Sequence, residues 1–341
     1  MRYIVKEFDK PLLIFSADMN SSNSNLQIEK IYEENDAFFP LNLTVSNGGL
    51  ESWLKHRVIP KNRAYVDALL SKTGLSANRP LGIIAVCKGL SLNDCYWVDS
   101  ADNESSFAKV NLYDNRFSTI LASIAFTGYG SSVRSSLFSS PEFSTNGMLP
   151  KCWRRINGKI YLYKGGTSGF SNTGFEPYSE LYAYQIAKAM EINAIRYTLT
   201  KDLKKSLCSK CELFTSKDYS YMPIGQLVRK GNMEAIREYY QTLGQSFVDA
   251  LDDMIIFDAL ICNVDRHLGN FGVLVNNVTN QIEKPAPLFD HGNSLFSLGG
   301  LDLWNNETAF HEYVETLVPV AYDDFLDEAR KVMQLRHHKM L

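Results

Sequence analysis

The sequence has no excess of basic residues. Its 341 residues include 35 Lys and Arg against 38 Asp and Glu, so the net charge is -3 and the isoelectric point is near 6.1. Binding along the phosphates of a nucleic acid needs a basic surface. We therefore expect no direct nucleic-acid partner, and any positive field must be local.

The sequence also lacks a segment suited to export or to a membrane. The N-terminal run MRYIVKEFDK has no apolar core followed by small residues, as a secretory signal would have. The uncharged residues 117–133 are rich in Ser, Thr and Gly and are too short to span a bilayer comfortably. With 45% hydrophobic residues and a mean hydropathy of -0.19, the sequence predicts a cytoplasmic globular protein of two or three packed units and no membrane partner.

Cysteine pairs with metal-ligand spacing are nearly absent. Of the six cysteines, only Cys208 and Cys211 are separated by two residues, and the sequence has no second such pair and no His-x-x-x-His. A tetrahedral zinc site needs two further ligands at comparable spacing. We therefore favour reduced thiols in the core or in strands over a zinc site.

Residues 262–272 carry the densest polar chemistry in the chain. They follow a predicted core-facing helix whose apolar residues recur at helical spacing: Phe247, Leu251, Met254, Ile255 and Ala259. A strand-like run, a turn and a returning segment then lead to Asp290. Two prolines in the returning segment predict that it is a short or edge strand. Such a hairpin would bring Asp290 back towards Asp265 and Asn270.

Several side chains in this region suit phosphoryl transfer, which needs magnesium, a positioned acceptor hydroxyl and charge neutralisation. Asp265 and Asn270 are five residues apart, the interval between the catalytic Asp and the metal-binding Asn of protein kinases. We assign Asp265 to orienting or deprotonating the acceptor, and the oxygen donors of Asn270 and Asp290 to magnesium. Arg266 could pair with a carboxylate or a phosphate, and His267 could stabilise charge or brace the loop. Taken singly, such residues more often form a surface turn, so the assignment rests on the whole pattern.

A second group of candidates lies upstream. The Asn157-Gly158 pair between two extended runs predicts a hairpin that ends near Lys164. Residues 144–151, here called the phosphate loop, precede this hairpin. Their hydroxyl, amide, glycine and lysine groups could hold nucleotide phosphates: Ser144, Thr145, Asn146, Gly147 and Lys151. An ordinary turn and a solvated hairpin face are the alternatives.

A predicted helix near Pro177 places Glu180 beside its apolar face, where the carboxylate could point towards Lys164. In kinases, such a pair holds the lysine extended over the nucleotide phosphates. The alternative is a first-turn glutamate that is favoured only by the helix dipole. Downstream, residues 211–215 are predicted to form a short strand, and the region of Phe214 is where adenine would meet backbone groups.

The two ends of the chain show no comparable cluster. Strand and helix patterns over the first 130 residues predict an α/β accessory unit for packing or docking. Residues 81–87 are apolar throughout, and periodicity does not decide between a buried strand and a helix. The basic residues 336–339 are expected to be a solvated terminus.

These motifs together resemble the HipA-type serine/threonine kinases of bacteria. The resemblance rests on residues 263–270 (NVDRHLGN) with Asp290, on the phosphate loop, and on Lys164 with Glu180. The Asp-Arg-His-x-x-Asn signature is equally similar to that of the phosphatidylinositol 3/4-kinases. The sequence departs from the usual HipA pattern at Arg266 and in the lack of a glutamine within the phosphate loop.

The resemblance implies an α+β, bilobal protein-kinase-like fold with an N-terminal α/β accessory domain. The predicted bounds are 1–135 for the accessory domain, 136–222 for the kinase N-lobe and 223–341 for the helical kinase C-lobe. The active site would then lie in a cleft between the two lobes.

The resemblance also implies an ATP- and magnesium-dependent kinase that acts on Ser or Thr of a protein substrate. It further suggests that the protein is the toxin of a toxin–antitoxin system, with a small antitoxin-like protein as partner. It also suggests autophosphorylation at Ser144 or Thr145. Two alternatives stay open. One is a kinase for a lipid or another small molecule, and the other is a nucleotide-binding interaction module without catalysis.

Overall fold

The structure is a computed structural model that describes residues 1–18, 25–133, 140–168, 174–201, 206–229 and 231–341, with residues 301 and 302 described by their backbone only. The chain divides into two compact units. The first unit comprises residues 1–162, 215–220 and 276–281, and the second comprises residues 163–214, 221–275 and 282–341. The domain bounds expected from the sequence stay a prediction.

The first unit begins with a four-stranded antiparallel sheet. Its strands are β1 (Arg2–Glu7), β2 (Lys10–Ser16), β3 (Gln27–Ile31) and β4 (Tyr96–Ser100), in the order β3-β2-β1-β4. Val5 of β1 lies opposite Leu13 on one side and Val98 on the other. All three side chains are buried in one hydrophobic cluster, so this face of the sheet forms the core of the unit.

Helices of the first unit pack against this sheet. They are α1 (Asn47–Lys55), α2 (Val66–Lys72), α3 (Pro80–Cys87), α4 (Phe107–Val110) and α5 (Thr119–Thr127). Ser46 caps α1 by accepting the Gly49 N–H at 3.0 Å. Residues 81–87 are helical, and Pro80 stands in the first turn of α3, where its missing N–H costs nothing.

The predicted hairpin is confirmed. Strands β5 (Lys151–Ile156) and β6 (Lys159–Gly165) are neighbours, and they flank Asn157 and Gly158. Both turn residues have positive φ, at 51° and 82°, as a two-residue hairpin turn requires. Within β6 the chain leaves the first unit and enters the second.

The second unit continues with α6 (Glu176–Ala189) and the antiparallel pair β7 (Tyr197–Lys201) and β8 (Leu207–Glu212), with β8 beside β6. The predicted strand at 211–215 is wrong in its bounds. Strand β8 ends at Glu212 because its partner β7 begins at Tyr197, which lies opposite Cys211. Phe214 therefore lies in a loop.

A further, three-stranded sheet and the long helix follow. The elements are β9 (Tyr219–Pro223), α7 (Ile224–Leu227), α8 (Met233–Leu243), α9 (Gln245–Ile261), β10 (Gly272–Asn276) and β11 (Gln281–Pro285). The strand order is β11-β10-β9, so β11 is the edge strand that the prolines predicted. The buried residues of α9 form the centre of a second hydrophobic cluster.

Helices α10 (Glu307–Glu315), α11 (Phe325–Val332) and α12 (Leu335–Met340) end the chain. The prediction of a solvated basic end holds for His338 and Lys339, which are exposed, and is wrong for His337. His337 is 0% exposed, its Nε2 lies 3.1 Å from Asp253 Oδ1, and Arg336 also donates to this carboxylate. His337 is buried because it meets an acidic residue of α9, a pairing between distant segments. Over the part of the chain that the structure describes, no helix has the length and apolarity to cross a membrane.

Candidate active site

Helix α9 ends in a polar turn that carries Asp265. Cys262 adopts a left-handed conformation with φ of 49°, and its N–H donates to the Asp258 carbonyl. Asn263 is fully buried, donates from Nδ2 to Asp258 Oδ1 at 3.0 Å and accepts the Asp265 N–H at 3.3 Å. The turn is thereby fixed to the last turns of the helix.

Arg266 joins the two segments that carry the predicted metal ligands. Its guanidinium is fully buried and pairs with Asp258 at two points, Nε–Oδ2 at 2.7 Å and Nη2–Oδ1 at 3.0 Å. Nη1 donates to the carbonyls of Asn270 and Phe289, each at 2.9 Å. Because Phe289 precedes Asp290, the predicted return of the chain to this turn is confirmed. Of the two partners left open for Arg266, the structure shows the carboxylate.

The carboxylate of Asp265 is held by Asn293. Asn293 Nδ2 donates to Asp265 Oδ2 at 3.0 Å, and the Asn293 carbonyl accepts the Val264 N–H at 3.2 Å. The Asp265 carbonyl accepts the His267 N–H at 2.8 Å and Asn270 Nδ2 at 3.2 Å. Both the side chain and the backbone of Asp265 are therefore oriented by the residues around them.

His267 braces this loop. Its Nδ1 accepts the Gly269 N–H at 3.0 Å, and its carbonyl accepts the Asn270 N–H at 2.9 Å. The His267 side chain is otherwise exposed. These contacts support the role of His267 in bracing the loop. Its role in stabilising charge stays a prediction.

Lys164 bridges two carboxylates. Its Nζ donates to Glu180 Oε1 and to Asp290 Oδ1, the latter at 2.5 Å. The predicted contact between Lys164 and Glu180 is confirmed. Glu180 Oε2 accepts the His291 N–H at 2.9 Å. Asp290 has a φ of 62°, which Asp tolerates better than most residues, so its side chain and the next N–H reach the lysine and the glutamate.

The charges in this group favour a protonated lysine. Burial lowers the pKa of Lys164, but Asp290 and Glu180 outweigh burial and hold that pKa above its ordinary value. Burial raises the pKa of Glu180, and Lys164 and the His291 N–H oppose this effect. A lysine that stays charged at neutral pH suits a phosphate-binding role.

His291 is buried and neutral. Its Nδ1 lies 3.1 Å from Arg266 Nη2, and because a guanidinium only donates, Nδ1 is the acceptor. Burial and the charge of Arg266 hold the pKa of His291 well below its usual value. The imidazole packs edge to face against Phe257 with ring centres 5.3 Å apart. His291 is therefore a packing component of the site.

Sequence reasoning missed Asp258, Asn293 and Tyr197. The Tyr197 hydroxyl accepts the Asp290 N–H at 3.3 Å, and Lys164 Nζ lies 5.7 Å from the centre of the Tyr197 ring. Asp258 gave an available signal, because an acid on the apolar side of a core helix needs a partner. Asn293 and Tyr197 gave none, since their partners lie 28 and 93 residues away in sequence.

Phe214, predicted to lie near adenine, belongs to an aromatic trio. Its ring centre lies 5.4 Å from those of Tyr221 and Phe289, and these two rings are also 5.4 Å apart. The Tyr221 hydroxyl donates to the Gly269 carbonyl at 2.9 Å. Because Phe289 precedes Asp290, the trio ties Phe214 to the polar segments. Adenine binding at Phe214 stays a prediction.

The phosphate loop belongs to the first unit, and its hydroxyls are engaged. Ser144 is buried, and its Oγ lies 3.4 Å from the Pro141 carbonyl. Thr145 Oγ1 donates to the same carbonyl at 2.6 Å and accepts Trp153 Nε1 at 2.9 Å. The first part of the loop is thus held in a defined conformation.

The middle of the phosphate loop is open. Asn146 and Gly147 are exposed, whereas Lys151 at the end of the loop is buried. Gly147 has a φ of 91°, and a Cβ at this position would lie 2.0 Å from Lys151 Nζ. The backbone conformation therefore favours glycine here, whereas the lysine approaches only with the flexible end of its side chain.

The oxygen donors of Asn270 and Asp290 fit magnesium. Magnesium prefers such ligands and is usually bound by one or two protein carboxylates together with substrate phosphates and water. Within the described ranges, no group of three or more His, Cys, Asp or Glu side chains is arranged to hold a metal.

No protein-family model and no curated protein matches this sequence. Among solved structures, the HipA toxin–antitoxin complex of Shewanella oneidensis MR-1 with HipB and its operator DNA is similar, with a TM-score of 0.53 and 14% identity over 88% of this chain and 76% of that chain. The chain has a HipA-like fold. The resemblance seen in the sequence is thereby confirmed for the fold, as is the mixed α and β class.

A second solved structure resembles part of this chain. The proinflammatory kinase CtkA of Helicobacter pylori matches 53% of this chain and 68% of its own, with a TM-score of 0.45 and 18% identity.

Proposed function

We propose that the chain is an ATP- and magnesium-dependent serine/threonine protein kinase with a bilobal, HipA-like kinase arrangement. The observation that carries the proposal is the buried Lys164 ammonium shared by Glu180 and Asp290. A strand lysine, a helix glutamate and a metal-binding aspartate are the combination that kinases use to hold nucleotide phosphates.

The candidate site residues of the second unit each have a role in this proposal. Asp265 orients the acceptor hydroxyl and accepts its proton, and Lys164 binds phosphate oxygens as a fixed positive charge. Asn270 and Asp290 would hold magnesium, whose chemistry here is to neutralise phosphate charge. Arg266 keeps the segments of these two ligands together and does not itself meet the substrate, because it is fully buried.

The phosphate loop would bind nucleotide phosphates through its backbone N–H groups and Lys151. Ser144 and Thr145 are the proposed sites of autophosphorylation. A dianion on either hydroxyl would repel ATP and break the contacts that hold the loop, so phosphorylation would switch the kinase off. Phe214 is proposed to lie at the adenine end of the nucleotide.

A lipid kinase gains no support from the Asp-Arg-His sequence. That signature left the alternative open because it is equally similar to that of the phosphatidylinositol 3/4-kinases. The Arg266 guanidinium is 0% exposed and is used by Asp258 and by backbone carbonyls, so it is not available to bind an acceptor.

A small antitoxin-like protein is the proposed partner. The support is the HipA-like fold, since the Shewanella structure is a complex of HipA with HipB and operator DNA. That complex contains DNA, so the absence of a nucleic-acid partner expected from the net charge is not supported by this comparison.

The acceptor class can be tested with a cell lysate and labelled ATP. We expect label in protein that yields phosphoserine or phosphothreonine after acid hydrolysis, and none in the lipid extract. The variant Asp265→Asn, tested in parallel, should give neither product. Label confined to lipids or small molecules would contradict a protein kinase.

A further inference from the structure

Residues 59–64, here called the support segment, connect α1 to α2 and contact the phosphate loop. The Ile59 N–H donates to the Phe143 carbonyl at 2.6 Å, and the Ala64 N–H donates to the Met148 carbonyl at 2.7 Å. A stretch far upstream in sequence therefore holds both the entry and the middle of the loop. Both segments lie within the first unit.

Arg63 adds a side-chain contact at each end of the loop. Its Nη1 donates to the carbonyls of Glu142 at 3.0 Å and Thr145 at 3.3 Å, and its Nη2 donates to the Lys151 carbonyl at 2.6 Å. Nη2 also pairs with Glu142 Oε2 at 3.1 Å, and both side chains are at most 1% exposed. One guanidinium thus fixes the distance between the start and the end of the loop.

Glu142 completes this arrangement. Its Oε1 accepts the Trp153 N–H at 2.8 Å, so the carboxylate joins β5 to Arg63. Burial raises the pKa of Glu142, and the charge of Arg63 opposes the effect. A buried ion pair is weak support for stability, because desolvation can exceed the attraction. Its geometry points to positioning of the loop.

The support segment also sets the direction of the loop's N–H groups. In a trans peptide the carbonyl and the following N–H point in opposite directions, and the described chain contains no cis peptide. The Thr145 and Met148 carbonyls face Arg63 and Ala64. The N–H groups of Asn146 and Leu149 therefore face away from the support segment, as donors to a phosphate must.

We propose that Arg63 is a positioning residue for nucleotide binding, which it serves by holding the carbonyls of the phosphate loop. The inference rests on the proposed kinase function. Its consequence is that the N-terminal region, expected from the sequence only to pack or dock, shapes the nucleotide site through the support segment. Arg63 acts through the loop and does not touch the nucleotide.

The test compares Arg63→Lys with Arg57→Lys in the full chain. Arg57 is a matched control, because it is also buried, pairs with Asp94 at 2.7 and 2.8 Å and donates to two carbonyls, those of Gly89 and Tyr96. In the described part of the chain, none of the hydrogen bonds of the Arg57 side chain reaches the phosphate loop. Each lysine keeps the charge but cannot span the four acceptors of the arginine.

We expect Arg63→Lys to raise the KM for ATP by about tenfold or more, with kcat changed much less, because displacing binding groups by a fraction of an ångström weakens binding strongly. Arg57→Lys should leave the KM unchanged at a similar loss of thermal stability. An unchanged KM in Arg63→Lys would overturn the inference and leave the kinase function standing. A wild-type protein that binds no ATP would overturn both. If Arg63→Lys does not fold, Glu142→Gln takes its place.

Hydrogen exchange gives a readout that does not depend on activity. The amides of residues 143–151 should exchange faster in Arg63→Lys than in Arg57→Lys. Equal exchange in the two variants would overturn the role of Arg63 in holding the loop.

Discussion

Arg266 and Asp258 form an ion pair that is fully withdrawn from solvent. Both side chains are 0% exposed, and Nε lies 2.7 Å from Oδ2. The same guanidinium bonds the carbonyls of Asn270 and Phe289. The pair is therefore the fixed centre to which the segments of both proposed metal ligands are attached.

Asp258→Asn should destabilise the protein strongly, because it leaves the buried charge of Arg266 without its counter-charge. Breaking one side of a buried pair costs about 3–5 kcal/mol of unfolding free energy. Denaturant unfolding followed by circular dichroism measures the loss. Asp327→Asn is the control, since its pair with Arg330 is exposed and is worth less than about 1 kcal/mol. Equal losses in the two variants would contradict the central position of the Arg266–Asp258 pair.

Glu7 should make stability depend on pH. Burial raises its pKa from 4.5 to about 7, against the opposing charge of Lys10. Because the folded protein then binds the proton of Glu7 more tightly than the unfolded chain does, this proton stabilises the fold. The stabilisation is complete below the unfolded-state pKa and is lost as the pH rises through the folded-state pKa. The unfolding free energy should therefore fall between pH 4.5 and about 7, by at most roughly 3 kcal/mol.

Glu7→Gln isolates this effect. The glutamine has no charge to bury, so its unfolding free energy should vary less over the same pH range than that of the wild type. Denaturation series at several pH values compare the two proteins. If both show the same slope, Glu7 does not carry the pH dependence.

Asn293 should affect catalysis through Asp265. Asn293→Ala removes the hydrogen bond to Asp265 Oδ2 and should lower kcat by about 10- to 100-fold with little change in the KM for ATP. Asn293→Asp replaces the donor by a second carboxylate, which cannot donate to Asp265 and repels it, so kcat should fall at least as far. A kcat equal to that of the wild type in both variants would show that Asn293 does not orient the base.

Autophosphorylation should add phosphate to Ser144 or Thr145. Incubation with ATP and magnesium should give this product in the wild type and not in Asp265→Asn, and mass spectrometry of the loop peptide measures it. The modified protein should bind ATP more weakly, because a phosphate dianion there repels the nucleotide. Active protein without phosphate at either residue would remove the proposed switch.

Local chemistry explains what could be predicted from the sequence. The hairpin at Asn157 and Gly158 follows from two residues that accept positive φ, and the edge strand β11 follows from its prolines. Asp265 and Asn270 lie on the same turn, so their spacing can be recognised from the sequence without knowing the fold. The contact of Lys164 with Glu180 was accessible because strand and helix are consecutive.

The remaining features depend on contacts between distant segments. Asn293 reaches Asp265 only after the chain has passed through β10 and β11, and nothing local to Asn293 marks it. The end of β8 is set by where β7 begins, and the burial of His337 by the acids of α9. Arg63 reaches the phosphate loop across 82 to 88 residues of sequence.

Phosphate transfer by single variants tests the central claim most directly. Wild type, Asp265→Asn, Asp290→Asn and the exposed control Asp327→Asn are incubated with labelled ATP and magnesium after their folding has been compared by circular dichroism. We predict that wild type and Asp327→Asn transfer phosphate at equal rates and that the other two lose transfer by orders of magnitude while remaining folded. Equal labelling in all four proteins would contradict the assignment of Asp265 and Asp290, and with it the proposed kinase.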